Sequence, residues 1–496
     1  LRRLRVHRPR LPRRRIVSAS ILTPANSFQT HLDSENNLLR ALNERVLEYK
    51  GKEPIPPSRA AVLAMSNYTL GKLMSWPIGK MTEKQFLACY TGRKLTVYTN
   101  ALLSLAKCPL KPSDAYVDTF VKAEKFDYLA KPDACPRAIQ PRSPRYLASV
   151  GMFIKPIEKA VYKSLADSFY GGVPVVMKGF NAVDTGNLLR RKFEMFDDPV
   201  VMCLDASRFD QHVSVDMLKF THQVYSRFNG DQEFLRLLGM TLVNTGYAKC
   251  AESAFKYTVK GRRMSGDMDT SLGNCTIMVA ICAYLFRGFK HQLANNGDDC
   301  AMICNRCDLP SNAYVEEQFK SFGFHVRIEE VTSIFERWEF CQTRPVRRGE
   351  DWVMCRNVSA IAKDVCHVGD VNCYLTWLYG IGECGGALAD GLPVFSAFYQ
   401  YLRRAGKPSR KFHQAVDWET GMVSLSRGMK RQDLPVQSES RVSFYRAFGI
   451  EPQMQEAIEK YFLTLGPLGK LQSWQIKDHV DFVSQSEWFT DHLANE

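Results

Sequence analysis

Short apolar runs separated by polar turns divide the middle of the chain into predicted strands. One run, 200–204, ends at Asp205, and another, 300–304, follows the turn Asn-Gly-Asp-Asp at 296–299. Apolar runs of this length bounded by turn residues are typical of buried strands. Because Gly297 tolerates the positive φ of a tight hairpin, we expect the two aspartates of this turn to lie at its tip.

The rest of the pattern alternates helices with strands and then becomes mainly helical. Helical spacing of leucines and valines begins near Asn36, and a helix is predicted over 209–228. After about residue 347 helical periodicity dominates. It is interrupted by the glycine-rich stretch 380–386, which we interpret as a mobile loop or a linker between helices.

The two acidic sites suggest a metal-dependent reaction. If the fold brings Asp205 beside Asp298, two hard oxygen donors share one small cavity, and cations such as Mg²⁺ relieve their repulsion. Two such ions about 3.5–4 Å apart can activate an attacking hydroxyl and stabilise a leaving pyrophosphate. The alternative is that each aspartate is a solvated turn residue, because Gly and Asp are common in turns.

Between the acidic sites, residues 265–274 form a loop of small and hydroxylated residues that leads into the apolar run 275–286. Gly266 allows a close approach of a nucleotide or template backbone, and hydrogen bonds are available from Ser265, Thr270 and Asn274. The same residues also fit a helix N-terminus capped by Thr270 or Ser271. The pattern alone leaves both interpretations open.

Composition narrows the class of protein without fixing its function. The chain has 496 residues, of which 45% are hydrophobic, and a formal net charge of +14 with a pI near 9.1. The length suggests two to four domains or one multi-part enzyme. The basic balance favours a polyanionic partner, a property shared with ribosomal, membrane-surface and histone-like proteins. No run of 18 apolar residues occurs, so no membrane span is predicted.

Cysteine usage favours a reducing compartment. The 15 cysteines are an odd number without framework spacing, so we expect reduced thiols and no disulfide scaffold. Cys300, Cys304 and Cys307 raise the alternative of a zinc site. Their segment is better explained as a strand with buried thiols.

Residues 1–15 contain eight arginines, and no acidic residue precedes Asp33. Such a segment repels itself and is predicted to be a flexible RNA-contacting arm or a linker. A mitochondrial presequence is a third interpretation, but Pro9 and Pro12 oppose the amphipathic helix that it needs. The chain begins with leucine instead of methionine, so we interpret the sequence as a piece of a longer product or as a trimmed chain.

Three motifs in one order resemble a known family. The pattern D-x4-D begins at Asp205, S-G-x3-T-x3-N begins at Ser265, and Gly-Asp-Asp occupies 297–299. This order resembles motifs A, B and C of the RNA-dependent RNA polymerases of plus-strand RNA viruses. The resemblance implies a nucleotidyl-transfer enzyme.

Further segments resemble the tombusvirus-like branch of that family. Residues 122–125 and 136–146 look like its basic motif F, and 176–182 also looks like a segment of that branch. Residues 318–329 fall where motif D is expected, and 335–342 resemble motif E, the strand pair that grips the primer. The resemblance therefore covers roughly residues 120–345.

The resemblance implies a role for each motif residue. It implies that Asp205 and Asp298 are the principal ligands of two Mg²⁺ or Mn²⁺ ions, with Asp299 as an auxiliary ligand. It implies that Asp210 and Asn274 read the ribose 2′-hydroxyl, which favours ribonucleotides as substrates. Arg137 and Arg142 would bracket the triphosphate. The further nucleotide contacts would come from Lys122, Lys125, Ser265 and Thr270.

Some of these roles have a simpler alternative. Arg137 and Arg142 could be ordinary surface residues of a proline-rich loop in an arginine-rich chain. Lys320 is the candidate general acid that protonates pyrophosphate, but a lysine at helical spacing after two glutamates is also typical of a solvated ion pair.

The resemblance also implies the fold class and the domains. The fold is expected to be α+β, a right-hand polymerase with fingers, a palm built on an antiparallel sheet flanked by helices, and a mainly helical thumb. The predicted division is a basic flexible segment at 1–30, fingers with motif F at 31–190, a palm with motifs A to E and a fingers insertion near 235–264 at 191–346, and a thumb at 347–496.

The expected function is replication of a plus-strand RNA genome by an RNA-directed RNA polymerase. The alternatives are a basic RNA-binding or packaging protein without catalysis and a reverse transcriptase. The expected partners are template and product RNA, ribonucleoside triphosphates, and an upstream viral replication protein as fusion or auxiliary partner. The expected location is the host cytoplasm, at membrane-associated replication complexes reached through that partner, and association between copies of the chain is left open.

Overall fold

The computed structural model describes residues 1–4, 15–18, 27–250, 253–409, 421–468 and 471–475. The strands are β1 (Arg2–Leu4), β2 (Arg15–Ser18), β3 (Phe28–Thr30), β4 (Val117–Val121), β5 (Lys125–Asp127), β6 (Ala138–Ile139), β7 (Pro199–Ala206), β8 (Val243–Lys249), β9 (Ala254–Lys260), β10 (His291–Asn296), β11 (Asp299–Asn305), β12 (Val326–Thr332), β13 (Thr343–Arg348), β14 (Asp351–Arg356), β15 (Cys366–Val368) and β16 (Gln472–Gln475).

Helices make up most of the remainder, so the predicted mixture of helix and sheet is confirmed. They are α1 (Glu35–Leu42), α2 (Arg59–Lys72), α3 (Glu83–Leu87), α4 (Gly92–Lys107), α5 (Pro144–Phe169), α6 (Ala182–Phe193), α7 (Phe209–His212), α8 (Val215–Ser226), α9 (Gln232–Gly239), α10 (Thr270–Leu285), α11 (Asn312–Ser321), α12 (Ala360–Asp364), α13 (Tyr374–Leu388), α14 (Phe395–Ala405), α15 (Met422–Leu425), α16 (Ser438–Phe448) and α17 (Pro452–Thr464). A π-helical turn, Asn43–Leu47, follows α1, and short 3₁₀ turns lie at Pro112–Ala115, Arg306–Asp308, Phe335–Arg337 and Val371–Cys373.

A four-stranded antiparallel sheet lies at the centre of the fold, in the order β10-β11-β7-β12. Strand β7 of this sheet is buried on both faces. Successive side chains of a strand point to opposite faces, so its residues enter two different cores. Met202 and Leu204 join the core that contains α5, α8 and α10, while Val201 and Cys203 join the core that contains α6, α13 and α14. The apolar run before Asp205 is therefore the strand that the sequence predicts.

A second sheet connects distant parts of the chain in the order β1-β9-β8-β4-β6. Strand β4 pairs with β8 in parallel, and β9 pairs with both β8 and β1. The predicted insertion near 235–264 thus shares a sheet with β4 and β6, strands that lie before residue 150. This arrangement positions the motif F segment beside the insertion.

The prediction of a flexible segment at 1–30 is wrong for its described parts. Residues 2–4 pair with β9, residues 15–18 pair with β15 and β16, and residues 28–30 pair with β5. The reason is that each short strand finds a partner edge far away in sequence, which composition does not reveal. The rest of 1–30, including Pro9 and Pro12, lies outside the described residues.

Three sequence-based boundaries also need correction. The predicted helix over 209–228 is two helices, because Val213 is extended and Ser214 caps α8 by accepting a hydrogen bond from the Met217 amide. The boundary at 346/347 cuts through the β13/β14 hairpin, in which Val346 pairs with Val353. The segment 335–342, where the resemblance implies a strand pair, contains a 3₁₀ turn at Phe335–Arg337, and the β13/β14 hairpin follows it.

The glycine-rich stretch 380–386 is neither a loop nor a linker but the buried interior of α13. Helix α13 packs against α14 so closely that a Cβ atom at Gly382 would lie 2.6 Å from the backbone nitrogen of Arg403. Glycine is required at this position for the close contact between α13 and α14. Glycine disfavours a helix, but this packing outweighs that cost. Within the described residues, no helix is both long enough and apolar enough to cross a bilayer.

Candidate active site

Three aspartates meet at one end of the central sheet. Asp205 at the end of β7 is the register partner of Asp299 at the start of β11, and the tight turn Gly297-Asp298 closes the β10/β11 hairpin beside them. All three carboxylates line a cavity of about 870 Å³. The structure therefore brings together the residues that the sequence predicts as metal ligands.

The turn that carries Asp298 is braced from within. Gly297 has a φ of +94°, in the left-handed region where glycine is unstrained. The buried amide of Asn295 donates hydrogen bonds to the carbonyls of Gly297 and Asp299 at 2.8 and 3.2 Å and accepts one from the Gly297 amide at 3.3 Å. Sequence reasoning missed Asn295, although a second asparagine directly before Asn-Gly-Asp was the available signal.

Burial and mutual repulsion shift the titration of this cluster. Burial, followed by the charge of Asp298, raises the pKa of Asp205. Burial and the charge of Asp298 also raise the pKa of Asp299, to about 6. Glu329 lines the same cavity, and burial and the charge of Asp205 raise its pKa. None of the three aspartates forms an ion pair in the part of the chain that the structure describes.

These carboxylates fit a hard divalent ion that keeps part of its water shell. The described residues contain no group of three His, Cys, Asp or Glu side chains placed to enclose an ion on their own. Mg²⁺ is commonly held by one or two carboxylates together with waters and substrate phosphates, whereas zinc requires a closed set of N and S ligands. Cys300 and Cys304 are buried in β11 and Cys307 is exposed beyond it, as expected for a strand.

Asp210 and Asn274 form a buried polar pair next to the aspartates. Asn274 on α10 donates a hydrogen bond of 2.7 Å from Nδ2 to Asp210 on α7. Burial, followed in its raising effect by the charge of Asp298, raises the pKa of Asp210 to about 6 although the Asn274 bond lowers it. Asn274 Oδ1 is buried and has no hydrogen-bond partner among the described residues. This orphaned acceptor fits a ligand hydroxyl, because a buried polar atom without a partner is costly.

The loop before α10 is tied to the motif F segment. Ser265 Oγ accepts a hydrogen bond of 3.0 Å from the Gln140 amide and donates one of 3.3 Å to the Ala138 carbonyl. A Cβ atom at Gly266 would lie 2.5 Å from the Pro141 Cα. The close approach that Gly266 permits is therefore to the protein backbone at Pro141, and a nucleotide or template contact there stays a prediction.

Arg142 does not face the cavity, and this corrects its predicted role as a triphosphate ligand. Its side chain is 0% exposed and forms an ion pair with Asp267, whose side chain is 2% exposed. The same guanidinium donates to the Ala115 carbonyl and to Asn244 Oδ1. All three contacts hold the loop against neighbouring elements, because five N–H donors on one planar group can serve several acceptors.

Arg137 and Lys122 do reach the cavity. Both share the carboxylate of Glu124, each at 3.3 Å, and the Arg137 side chain is 54% exposed. The structure adds four cations that sequence reasoning missed: Arg45, Lys50, Lys131 and Arg208 also line the cavity. Nothing in the local sequence marks Arg45, Lys50 or Lys131, because only long-range packing brings them beside the end of β7.

Four other predicted residues do not line the cavity, and one of them, Asn274, lies directly behind its wall through the bond to Asp210. Lys125 is buried and donates to the carbonyls of Lys363 and Cys366. Lys320 is exposed and pairs with Glu317 at 3.0 Å, which agrees with the simpler alternative. Thr270 begins α10 without capping it, since its hydroxyl donates to the carbonyls of Met264 and Asp267.

Comparison with known proteins agrees with the motif order. The family model described as viral RNA dependent RNA polymerase matches residues 3–468. The chain belongs to this polymerase family. It is 42% identical over 466 residues to the RNA-directed RNA polymerase of groundnut rosette virus (strain MC1), an alignment that covers 92% of the chain and 55% of that relative.

Two other relatives in this polymerase family come from tobacco necrosis virus (strain A) and turnip crinkle virus. They are 41% identical over 453 residues and 37% identical over 451 residues, and each alignment covers 88% of the chain. The expected resemblance to polymerases of tombusvirus-like viruses is thus confirmed. The aligned part of the chain spans 62% and 58% of the length of these two relatives.

Proposed function

We propose that this chain catalyses RNA-templated RNA synthesis. In the proposed reaction the 3′-hydroxyl oxygen of the growing strand forms a bond to the α-phosphorus of a ribonucleoside triphosphate. The bond from that phosphorus to the β-phosphate bridging oxygen breaks, pyrophosphate leaves, and the hydroxyl proton passes to solvent or phosphate. The register of Asp205 with Asp299 beside the Asp298 turn, on the wall of one large cavity, carries the proposal.

The carboxylates would hold the metal ions, and the raised pKa values of Asp205 and Asp299 support this by indicating charge that cations relieve. Two Mg²⁺ or Mn²⁺ ions bound here would supply Lewis-acid activation of the hydroxyl and neutralise charge on the leaving pyrophosphate. The hairpin holds Asp298 on rigid backbone, so little reorganisation is needed when ligands arrive.

Residues that line the cavity or contact its wall would select and orient the nucleotide. The Asp210 carboxylate and the orphaned Asn274 Oδ1 together can accept a hydrogen bond from a ribose 2′-hydroxyl, a group that deoxynucleotides lack. Arg137 and Lys122 would contact the triphosphate, with Arg137 the stronger candidate because a guanidinium binds phosphate oxygens bidentately. Arg45, Lys50 and Lys131 would line the path of the RNA backbone.

The fold supports a right-hand polymerase architecture in coarse outline. The central sheet would serve as the palm, and β4, β6, β8 and β9 would belong to the fingers. The packing of α13, α14, α16 and α17 beyond β14 is consistent with a helical thumb. The general acid for pyrophosphate stays unassigned, because Lys320 pairs with Glu317 outside the cavity.

The direct test is synthesis from purified chain, a short RNA template, labelled ribonucleotides and Mg²⁺ or Mn²⁺. Asp298→Asn should abolish template-dependent product and leave RNA binding nearly intact. The matched control is Asp308→Asn, a carboxylate in the 3₁₀ turn after β11 and outside the cavity, which should retain full synthesis.

Product that persists in Asp298→Asn would contradict the metal site. Binding without synthesis in every sample would favour an RNA-binding or packaging protein. Deoxynucleotides used as well as ribonucleotides would favour a reverse transcriptase.

The predicted partners form part of the same proposal. Template and product RNA would occupy the large cavity, and an upstream viral replication protein would bring the chain to membrane-associated replication complexes in the host cytoplasm. Co-expression of the chain with that viral protein, followed by membrane flotation, tests the idea. A chain that stays in the unbound fraction would contradict it.

A further inference from the structure

A second cavity, of about 370 Å³, lies where the C-terminal end of α10 meets the beginning of β10. We call it the distal cavity. Its floor and walls come from the ends of α2, α5 and α10 and from the segment before β10. Nine residues of α10 separate Asn274 from Ala283, which lines the distal cavity, and this is about 14 Å at 1.5 Å per residue.

The charge of the distal cavity is of one sign. Lys72, Arg287 and Lys290 line it, no carboxylate does so among the described residues, and none of the three forms an ion pair in the described ranges. The nearby carboxylate Asp167 is paired with Lys163. A concave surface with cations and without acids concentrates anions, because the low-dielectric walls focus its field.

Aromatic rings accompany each of these cations. Tyr68, Phe169, Tyr170 and Phe289 line the cavity. Tyr68 stacks on Phe169 with ring centroids 5.9 Å apart. Lys72 Nζ lies 4.6 Å from the centroid of the Tyr68 ring, and the Arg287 guanidinium lies 4.1 Å from that of Tyr284. Lys290 Nζ lies 5.1 Å from the Phe196 ring centroid and donates to the Met195 carbonyl, and Arg287 donates to the Tyr284 carbonyl. The cations are thus held by rings and by backbone, while all three side chains remain exposed.

Half-buried rings beside unpaired cations match the chemistry of a nucleotide. Bases stack on aromatic side chains at about 1–3 kcal/mol per base, and phosphates bind neighbouring Lys and Arg. The volume is at the lower end of the range of about 300–1,000 Å³ that small ligands occupy. Phe169 and Phe289 are both partly exposed, so a base could stack against them without opening the core.

We propose that the distal cavity is a second nucleotide-binding site, which takes one nucleoside phosphate by stacking on Phe169 or Phe289 and by ion pairing with Lys72, Arg287 and Lys290. The nucleotide belongs to a single-stranded RNA outside the catalytic cavity or is free in solution. The site does not depend on the proposed polymerase activity, since none of its residues lines the catalytic cavity.

An anionic membrane is a less suitable partner for this surface. Interfacial membrane binding relies on apolar side chains that protrude from a flat face. In the distal cavity the rings are recessed and form the walls of a concavity. A nucleotide fits the recess, whereas a bilayer surface would contact only its rim.

The experiment is photo-crosslinking of the full chain in the absence of divalent ions and triphosphates. One arm uses a short single-stranded RNA with 4-thiouridine, and a second uses 8-azido-AMP. Mass spectrometry then locates the crosslinked peptides. The expected result is a crosslink at residues 68, 169 or 289, distinct from any crosslink at 340–342 in the catalytic cavity.

The charge-removal variant is Lys72→Ala/Arg287→Ala/Lys290→Ala. It should lower crosslinking at the distal cavity at least about fivefold and leave crosslinking at 340–342 unchanged. The matched control, Lys159→Ala/Lys219→Ala/Arg227→Ala, removes the same charge from exposed positions that line neither cavity and should change neither crosslink. Circular dichroism of both variants checks that the fold is retained.

The arms separate the sources of the nucleotide. A distal crosslink with RNA alone supports an RNA strand as occupant, and one with 8-azido-AMP supports a free nucleotide. Crosslinks confined to 340–342, or a distal crosslink that the triple variant retains, would overturn the proposal. The proposal would also be overturned if no distal crosslink formed and the triple variant bound phosphatidylserine vesicles less well than the unchanged chain. The surface would then be a membrane contact.

Discussion

Replacing Arg142 with methionine should loosen the loop before α10 without removing a substrate contact. The change deletes an ion pair between two side chains that are 0% and 2% exposed and leaves the Asp267 carboxylate buried without its counter-charge. It also removes the hydrogen bonds to Ala115 and Asn244. Breaking a buried pair from one side costs about 3–5 kcal/mol, so local opening of 264–270 should become at least about a hundredfold more frequent.

Hydrogen exchange measured by mass spectrometry reports this opening. The amides of Asp267 and Thr270 donate to the carbonyls of Met264 and Asp267, so their exchange follows the loop directly. Arg137→Met is the matched control, because Arg137 is exposed and lines the catalytic cavity. That variant should leave the exchange of 264–270 unchanged and raise the KM for ribonucleotides.

A double variant separates the ion pair from simple loss of packing. Arg142→Met/Asp267→Asn removes both charges, so it should lose less stability than the two single variants added together, with a coupling of about 0.5–3 kcal/mol. The reasoning would be refuted if Arg142→Met left the exchange of 264–270 normal and raised the KM for ribonucleotides. Arg142 would then reach the triphosphate, as the family resemblance implies.

Three further predictions concern polar groups in or near the core. Asn274→Ala should lower the preference in kcat/KM for ribonucleotides over 2′-deoxynucleotides by up to about tenfold, since a hydrogen bond between neutral groups is worth about 0.5–1.5 kcal/mol; an unchanged ratio would exclude the role. In metal-free protein, Asp299→Asn should raise the thermal midpoint more at pH 7.5 than at pH 5. The pKa of Asp299 is raised to about 6, so its carboxyl is protonated in the folded chain at pH 5 and carries a destabilising buried charge at pH 7.5. Mg²⁺ should shrink the difference. Lys192→Met should raise the thermal midpoint more at pH 6 than at pH 9. Burial lowers the pKa of Lys192 to about 7, so charging the buried amine opposes folding increasingly as pH falls. An equal change in midpoint at both pH values would contradict this.

The sequence predicted the acidic end of the central sheet because its signals are local. A strand that ends in Asp205 and a turn that needs Gly297 are each specified within a few residues, and two strands of one hairpin must meet. The mixture of helix and sheet and the family followed from the same motifs. The role of Asn295 was not predicted because it consists of side-chain hydrogen bonds to the backbone of the following turn. A pattern of apolar and polar positions does not reveal such bonds.

The errors arose where the decisive partner is remote. Arg142 resembles a phosphate ligand in isolation, but its counter-charge lies 125 positions further along the chain. The glycines of α13 resemble a loop until α14 is packed against them. The arginines before Asp33 suggest disorder, yet the described parts of that segment pair with strands from four different regions. Long-range pairing overrides local propensity in all three cases.

The position of β7 in the middle of its sheet also sets the order in which the protein can fold during translation. Both neighbours of β7 lie later in the chain, and roughly ninety residues separate its end from the start of β11. At about 5–20 residues per second, a ribosome needs on the order of 5–20 s to deliver that partner. During this interval the apolar strand has two unpaired edges, the condition under which nascent chains aggregate. Chaperones that cover this strand until β11 and β12 are synthesised would therefore favour correct pairing over aggregation.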